Sequence, residues 1–223
     1  MNLKQNKFWF VASLTLATIA LFASVLTLGI VYPQPTPPVV PLAKVCTMEI
    51  MSTTDEAMLA YVRKTVAKAL QDKCAILEVE VFSPGGPVAT SVEISHVLRR
   101  ARQAGLIVAT FGRSFVASGA TIVLSAGTPG YRQIVKNSLV LVHGIQVSSG
   151  PFGSSMTCVD SKLEGLGEDD LLSNQVILQV AAEYAANTGK PLAQTLKWLR
   201  CDNSQVGDGS LAIRLGLADF LSD

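Results

Sequence analysis

Three short stretches of this chain carry residue types that can do chemistry if they converge. Ala117-Ser118-Gly119-Ala120 lies between an aliphatic run and an apolar helical run, so Ser118 stands at a helix N-terminus. The free N–H groups and dipole of a helix start stabilise an alkoxide or a tetrahedral oxyanion. The same place also suits serine as a plain N-cap. Ser83-Pro84-Gly85-Gly86 directly follows another aliphatic run. Its adjacent glycines either let backbone N–H groups approach a ligand closely or make an ordinary turn. His143 closes the apolar run Ser138–Val142, where it is either a general base or a satisfied core histidine. The other histidine, His96, sits between Ile94 and Val97 in a helical stretch and reads as a surface or structural residue.

The elements that must position these groups alternate. Met58, Leu59, Val62, Val66, Ala69 and Leu70 recur at helical spacing, which predicts an amphipathic helix over Thr54–Leu70. Ala75–Phe82 is rich in aliphatic and β-branched residues and reads as a strand. Thr90–Gly105 reads as a helix, with Thr90 and Glu93 as a capping box and Gly105 as its stop. Leu106–Phe111 is a second strand, Ser118–Ala126 a short apolar helix, and Ser138–Val142 a third, buried strand. The polar Gly144–Gly167 stretch precedes a long helix from Asp169 to Ala186, and Pro191 opens a last one to Arg200. Strands separated by helices imply the α/β class with a mostly parallel sheet.

Taken together and in order, the motifs resemble those of the Clp protease proteolytic subunit and its wider clan, which includes signal peptide peptidase A and the crotonase-like folds. The resemblance runs through Ser83-Pro84-Gly85-Gly86, Val116-Ala117-Ser118-Gly119-Ala120, Ser125-Ala126-Gly127 and Asn137-Ser138-Leu139-Val140-Leu141-Val142-His143. Ser118 and His143 are 25 residues apart, as the family pattern requires without a gap. It is strongest over Ala75–His143 and continues to the terminal Gly216-Leu217-Ala218-Asp219. It implies a ClpP/crotonase-like fold of repeated β-β-α units and a serine nucleophile at Ser118. His143 would be the general base, and the Gly86 and Gly119 N–H groups the oxyanion hole. The family's aspartate falls on Ser204 in a gapless match, and a two-residue insertion would put Asp202 there instead. Asp202 is therefore the candidate acid, Asp208 a poorer one, and a solvated loop position suits both. Cys201 beside Asp202 offers a disulfide that would pin that loop. Signal peptide peptidase A uses a lysine base, for which Lys162 or Lys136 would be candidates. Neither has a motif match, so His143 is preferred. The Gly144–Gly167 stretch departs from the family's handle region, so the family's tetradecamer does not follow, although a homo-oligomer is expected.

The bulk composition narrows the setting. A net charge of +1 over 223 residues gives no electrostatic case for nucleic acid. Hydrophobic residues reach 49% because Phe8–Val31 carries no charge at all. At about 1.5 Å per residue this stretch spans roughly 36 Å, enough to cross a bilayer core. Lys4 and Lys7 before it keep that end cytoplasmic, and Phe8-Trp9 and Tyr32 fit the interfacial belts. Residues 1–32 are thus expected to be a membrane anchor, or a signal segment whose cleavage would leave the protein secreted. Residues 33–43, with five prolines, form a stiff spacer, and 44–223 the ClpP/crotonase-like domain. Cys46, Cys74, Cys158 and Cys201 match no zinc pattern; in an extracytoplasmic, periplasmic domain they permit two disulfides in any of three pairings. No metal, cofactor or P-loop is expected, so any activity would be ATP-independent. Three functions compete. The first is a membrane-anchored serine peptidase acting on peptides or unfolded proteins. The second is a scaffold with a degraded site, and the third, disfavoured, a crotonase-like acyl transformation.

Overall fold

The computed structural model describes residues 43–149, 155–159 and 168–223, all within a compact unit that spans 42–223. The expected membrane segment, the proline-rich spacer and Lys162 lie outside the described residues. Among the described residues, no helix is long and apolar enough to cross a membrane.

The α/β class with a mostly parallel sheet is the observed one. Strands β1 (Val45–Ile50), β2 (Ile76–Ser83), β3 (Ile107–Ala117), β4 (Arg132–Val135) and β9 (Phe220–Ser222) run side by side and parallel. In β2 every second residue, Leu77, Val79, Val81 and Ser83, is buried, the period expected of a strand with one covered face. That face is covered by α1 (Glu56–Gln71), α2 (Val88–Gln103) and α3 (Gly119–Ser125). Asp55 caps α1, its carboxylate accepting from Met58 N–H at 2.9 Å, and Leu59, Val62, Val66 and Ala69 fill the buried stripe. The longer α4 (Glu168–Thr188) lies against α2 and α3, and α5 (Leu192–Trp198) packs on α4, with Tyr184 and Trp198 edge to face at 5.7 Å.

Two local expectations need correction. The strand expected to end at Phe111 continues to Ala117, because β3 changes partner midway. Its Thr110–Gly112 part pairs with β4, and its Phe115–Ala117 part with β5 (Leu139–Val142). Ser114, at φ 56°, marks the turn between the two halves. The Thr90–Glu93 capping box does not form, because α2 starts two residues earlier with Pro87 at its N-cap. Thr90 Oγ1 donates instead to the Thr54 and Pro87 carbonyls, and Glu93 turns to Arg63 and His96.

β5 also pairs antiparallel with β8 (Gln205–Gly207), and α6 (Gly209–Leu215) follows, capped by Asp208. β6 (Gln146–Ser149) and β7 (Ser155–Cys158) form a separate hairpin. Both possible disulfides form: Cys46–Cys74 joins β1 to the turn before β2, and Cys158–Cys201 joins β7 to the turn before β8.

The C-terminal turn is fixed by a partly buried ion pair. Arg132 Nε and Nη2 reach both oxygens of Asp219, and the N–H groups of Gly130 and Arg132 donate to the same carboxylate. Burial pushes the Asp219 carboxyl up, but these donors outweigh it and hold it below the usual carboxylate range. A depressed carboxyl contributes stability above its unfolded value of about 3.9, and that contribution is lost as pH falls through the folded value. Asp219→Asn should therefore cost about 2 kcal/mol at neutral pH. It should also flatten the acid limb of the stability curve, a change that urea melts between pH 7 and pH 3 would measure.

Candidate functional site

The end of β3 and the start of α3 are joined by a single strained residue. Ser118 has φ 52° and ψ −129°, a conformation L-residues rarely adopt, and its side chain makes no capping hydrogen bond. Its own N–H donates to the Leu141 carbonyl at 2.8 Å, which extends the β3–β5 ladder by one step. That register brings Ser118 level with Val142, one residue short of His143. The hydroxyl is thereby left free of helix capping, at a turn held by the neighbouring strand.

The Ser83–Pro87 loop closes over this turn. Ser83 Oγ donates to the Ser52 carbonyl and accepts from Gly85 N–H at 3.1 Å. Gly85, at φ 90°, lies so close that a Cβ there would sit 2.6 Å from both Ala117 O and Gly119 N. The Gly86 and Gly119 N–H groups have no acceptor among the described residues, whereas Gly85 N–H is already engaged. Two unengaged donors therefore flank Ser118, the arrangement that stabilises a developing oxyanion. Gly119 itself packs on Ser91, whose hydroxyl is tied to Thr54 Oγ1 at 2.7 Å and to the Pro87 carbonyl at 2.9 Å.

These groups open into a cavity of about 520 Å³ lined by Gly86, Ser118, Gly119 and His143. Ile122, Ile145, Met156, Val180 and Leu199 give it apolar walls. Tyr184 stands at its back; burial pushes its hydroxyl up and keeps it neutral, sharing a hydrogen bond of 2.6 Å with Thr121. His143 Nδ1 donates to the Gly144 carbonyl at 2.6 Å. A carbonyl only accepts, so Nδ1 carries a proton, and in the neutral ring Nε2 is then the nitrogen with the lone pair. Ser118 Oγ has no hydrogen bond to His143 or to any other described residue; apo sites often hold such pairs apart.

The family model described as Clp protease matches residues 41–222. The chain belongs to the Clp protease family. It is also similar to the ATP-dependent Clp protease proteolytic subunit 4 of Rhodococcus jostii (strain RHA1), with 28% identity over 143 residues. That match covers 63% of this chain and 65% of the relative, so the chain spans just under two thirds of the relative's length.

Against the Clp protease pattern, the expected acid is the residue that is not brought in. β8 pairs Gln205 with Val142, so Ser204 falls level with His143, and Asp202 lies two residues further out. Asp202 is exposed and forked by Arg200 at 3.0 and 3.1 Å; that guanidinium, through its hydrogen bonds, holds the carboxyl below the usual range. Asp208 is committed to capping α6. Lys136 does not line the cavity. His96 is likewise remote, bonded to Glu93 and to the buried Glu183. The Gly144 carbonyl escaped the sequence reading, because a backbone acceptor carries no residue-type signal.

Proposed function

We propose that the chain is a serine peptidase that hydrolyses peptides or unfolded proteins through an acyl-enzyme at Ser118. His143 Nε2 takes the Ser118 Oγ proton as the oxygen attacks the scissile carbonyl carbon. The Gly86 and Gly119 N–H groups hold the oxyanion, and His143 returns the proton to the leaving amine; water then repeats the cycle on the ester. The apolar cavity walls would bind substrate side chains. The observation that carries this reading is Ser118 itself, held at positive φ with its hydroxyl uncapped between two unengaged N–H groups.

The same reading includes the finer β-β-α superhelical winding, a homo-oligomer and ATP-independent action. It also places the domain outside the cytoplasm on an N-terminal anchor. Two disulfides among four cysteines support an oxidising compartment. The position of Asp202, and the lack of a Ser118–His143 hydrogen bond, favour a second reading in which the site is degraded and the domain binds without turnover.

Fluorophosphonate labelling separates the two. The wild type should label on Ser118 and Ser118→Ala not at all, with His143→Ala slower by about 100-fold or more. A wild type that neither labels nor cleaves unfolded substrates would leave the binding reading.

A further inference from the structure

Among the described residues His143 has no carboxylate partner, yet its ring is held in the one neutral tautomer a base needs, and the Gly144 carbonyl that holds it is itself confined. A Cβ on Gly144 would sit 2.6 Å from Cys158 Sγ and 2.9 Å from the Leu199 carbonyl, so the peptide is wedged between the disulfide and the end of α5. The surroundings of that wedge are closed on each side. Before His143, β5 is laddered to β8. After it, Val159 N–H donates to the Ile145 carbonyl at 2.8 Å and Cys158 pairs with Gln146. The Cys158–Cys201 bond then links the hairpin's far strand to the turn that feeds β8, across a sequence separation of 43.

We propose that the Cys158–Cys201 disulfide is the positioning element of His143, doing through Gly144 what a buried aspartate does in a serine triad. It fixes the Nδ1–H tautomer and the ring plane by pinning the acceptor peptide. A carbonyl carries only a partial charge, so it orients the imidazole without neutralising the imidazolium. This inference rests on the peptidase reading for its consequence, but not for its geometry.

The test reads the ring nitrogens directly. The 223-residue chain has two histidines, so long-range proton–nitrogen spectra of the wild type and of His96→Gln assign the His143 signals by elimination. The wild type should show His143 as the Nδ1–H form. Cys158→Ala/Cys201→Ala should lose that signature and label with fluorophosphonate at least about tenfold more slowly. Cys46→Ala/Cys74→Ala should leave both unchanged. If the first double variant fails to fold, Gly144→Ala, which keeps the disulfide and displaces the carbonyl from it, should abolish the same signature. The proposal is overturned if His143 is not Nδ1-protonated in the wild type. It is equally overturned if the tautomer persists in a folded Cys158→Ala/Cys201→Ala chain or in Gly144→Ala. A tautomer that responds in a chain that never labels removes the peptidase reading and leaves the positioning role standing.

Discussion

Exchanging Ser118 for glycine is expected to abolish acylation and, at the same time, to raise the melting temperature. The residue sits at φ 52° and ψ −129°, where a side chain costs about 1–3 kcal/mol and glycine costs nothing sterically. Its hydroxyl makes no hydrogen bond in the resting structure, so removing it forfeits none. Against that relief stands the larger entropy of glycine in the unfolded chain, about 0.5–1 kcal/mol. The balance is a gain of about 1 kcal/mol, which in a domain of this size raises the midpoint by about 2–4 °C. Ser118→Ala removes the proposed nucleophile but keeps the Cβ, so it should lose activity equally, by about 10³-fold or more, without the gain. The pair of variants therefore separates strain from chemistry: both silent toward the fluorophosphonate, and only one more stable. A glycine variant that melts at or below the alanine variant would show that the turn is not strained.

That strain follows from where the strand leads. β3 delivers Ser118 to the end of β5 by switching partners at Ser114, and α3 begins at the next residue, which leaves no room for an ordinary N-cap conformation. None of this was legible in Gly112-Arg113-Ser114, where the expected strand had already ended at Phe111. What was legible was local. The apolar stripe of α1, the alternation in β2 and the Gly-Gly loop each declare themselves within a few residues, because a helix face or a pleat repeats over that distance.

The missing pieces are set by distant partners. In β1, Val45–Ile50, Thr47 and Glu49 interrupt the apolar run, and the strand exists because it pairs with β2, on the other side of α1. β8 and β9 are three residues each, too short for any period. The same distinction divides the candidate site. Ser118, Gly86 and Gly119 lie in motifs that declare themselves within a few residues of the chain. Asp202 was chosen by distance along the chain from Gly216, and its place depends on how β8 registers against β5. That register, with the Arg200 fork, turns it outward. The disulfide pairing was equally hidden, since four cysteines allow three connectivities and only the fold chooses among them.

The severest structural effect is expected at Gly85, a residue with no chemical role. Alanine there meets two separate obstacles. At φ 90° the backbone is strained for any residue with a Cβ, which costs about 1–3 kcal/mol. The new Cβ would also lie 2.6 Å from Ala117 O and from Gly119 N, and 2.8 Å from Ser118 Cβ. Two of these three atoms are backbone and cannot rotate away, so the loop and the Ser118 turn must part, at about 1–3 kcal/mol more. Together Gly85→Ala should lose about 4 kcal/mol and lower the midpoint by about 8–16 °C. Activity should fall further than stability implies. The atom pushed aside is Gly119 N, one of the two proposed oxyanion donors, and losing one such donor costs about 10²–10³-fold. Gly86→Ala is the informative contrast. Its Cβ would meet Thr53 Cγ2, a side-chain end, as well as Thr54 Oγ1 and N, while its φ is unstrained. It should destabilise less and leave the Gly119 donor in place. Thermal melts and labelling rates of the two variants, taken at a temperature where both are folded, check the ranking. Equal losses in both would mean that the loop is held by something other than its contact with the serine turn.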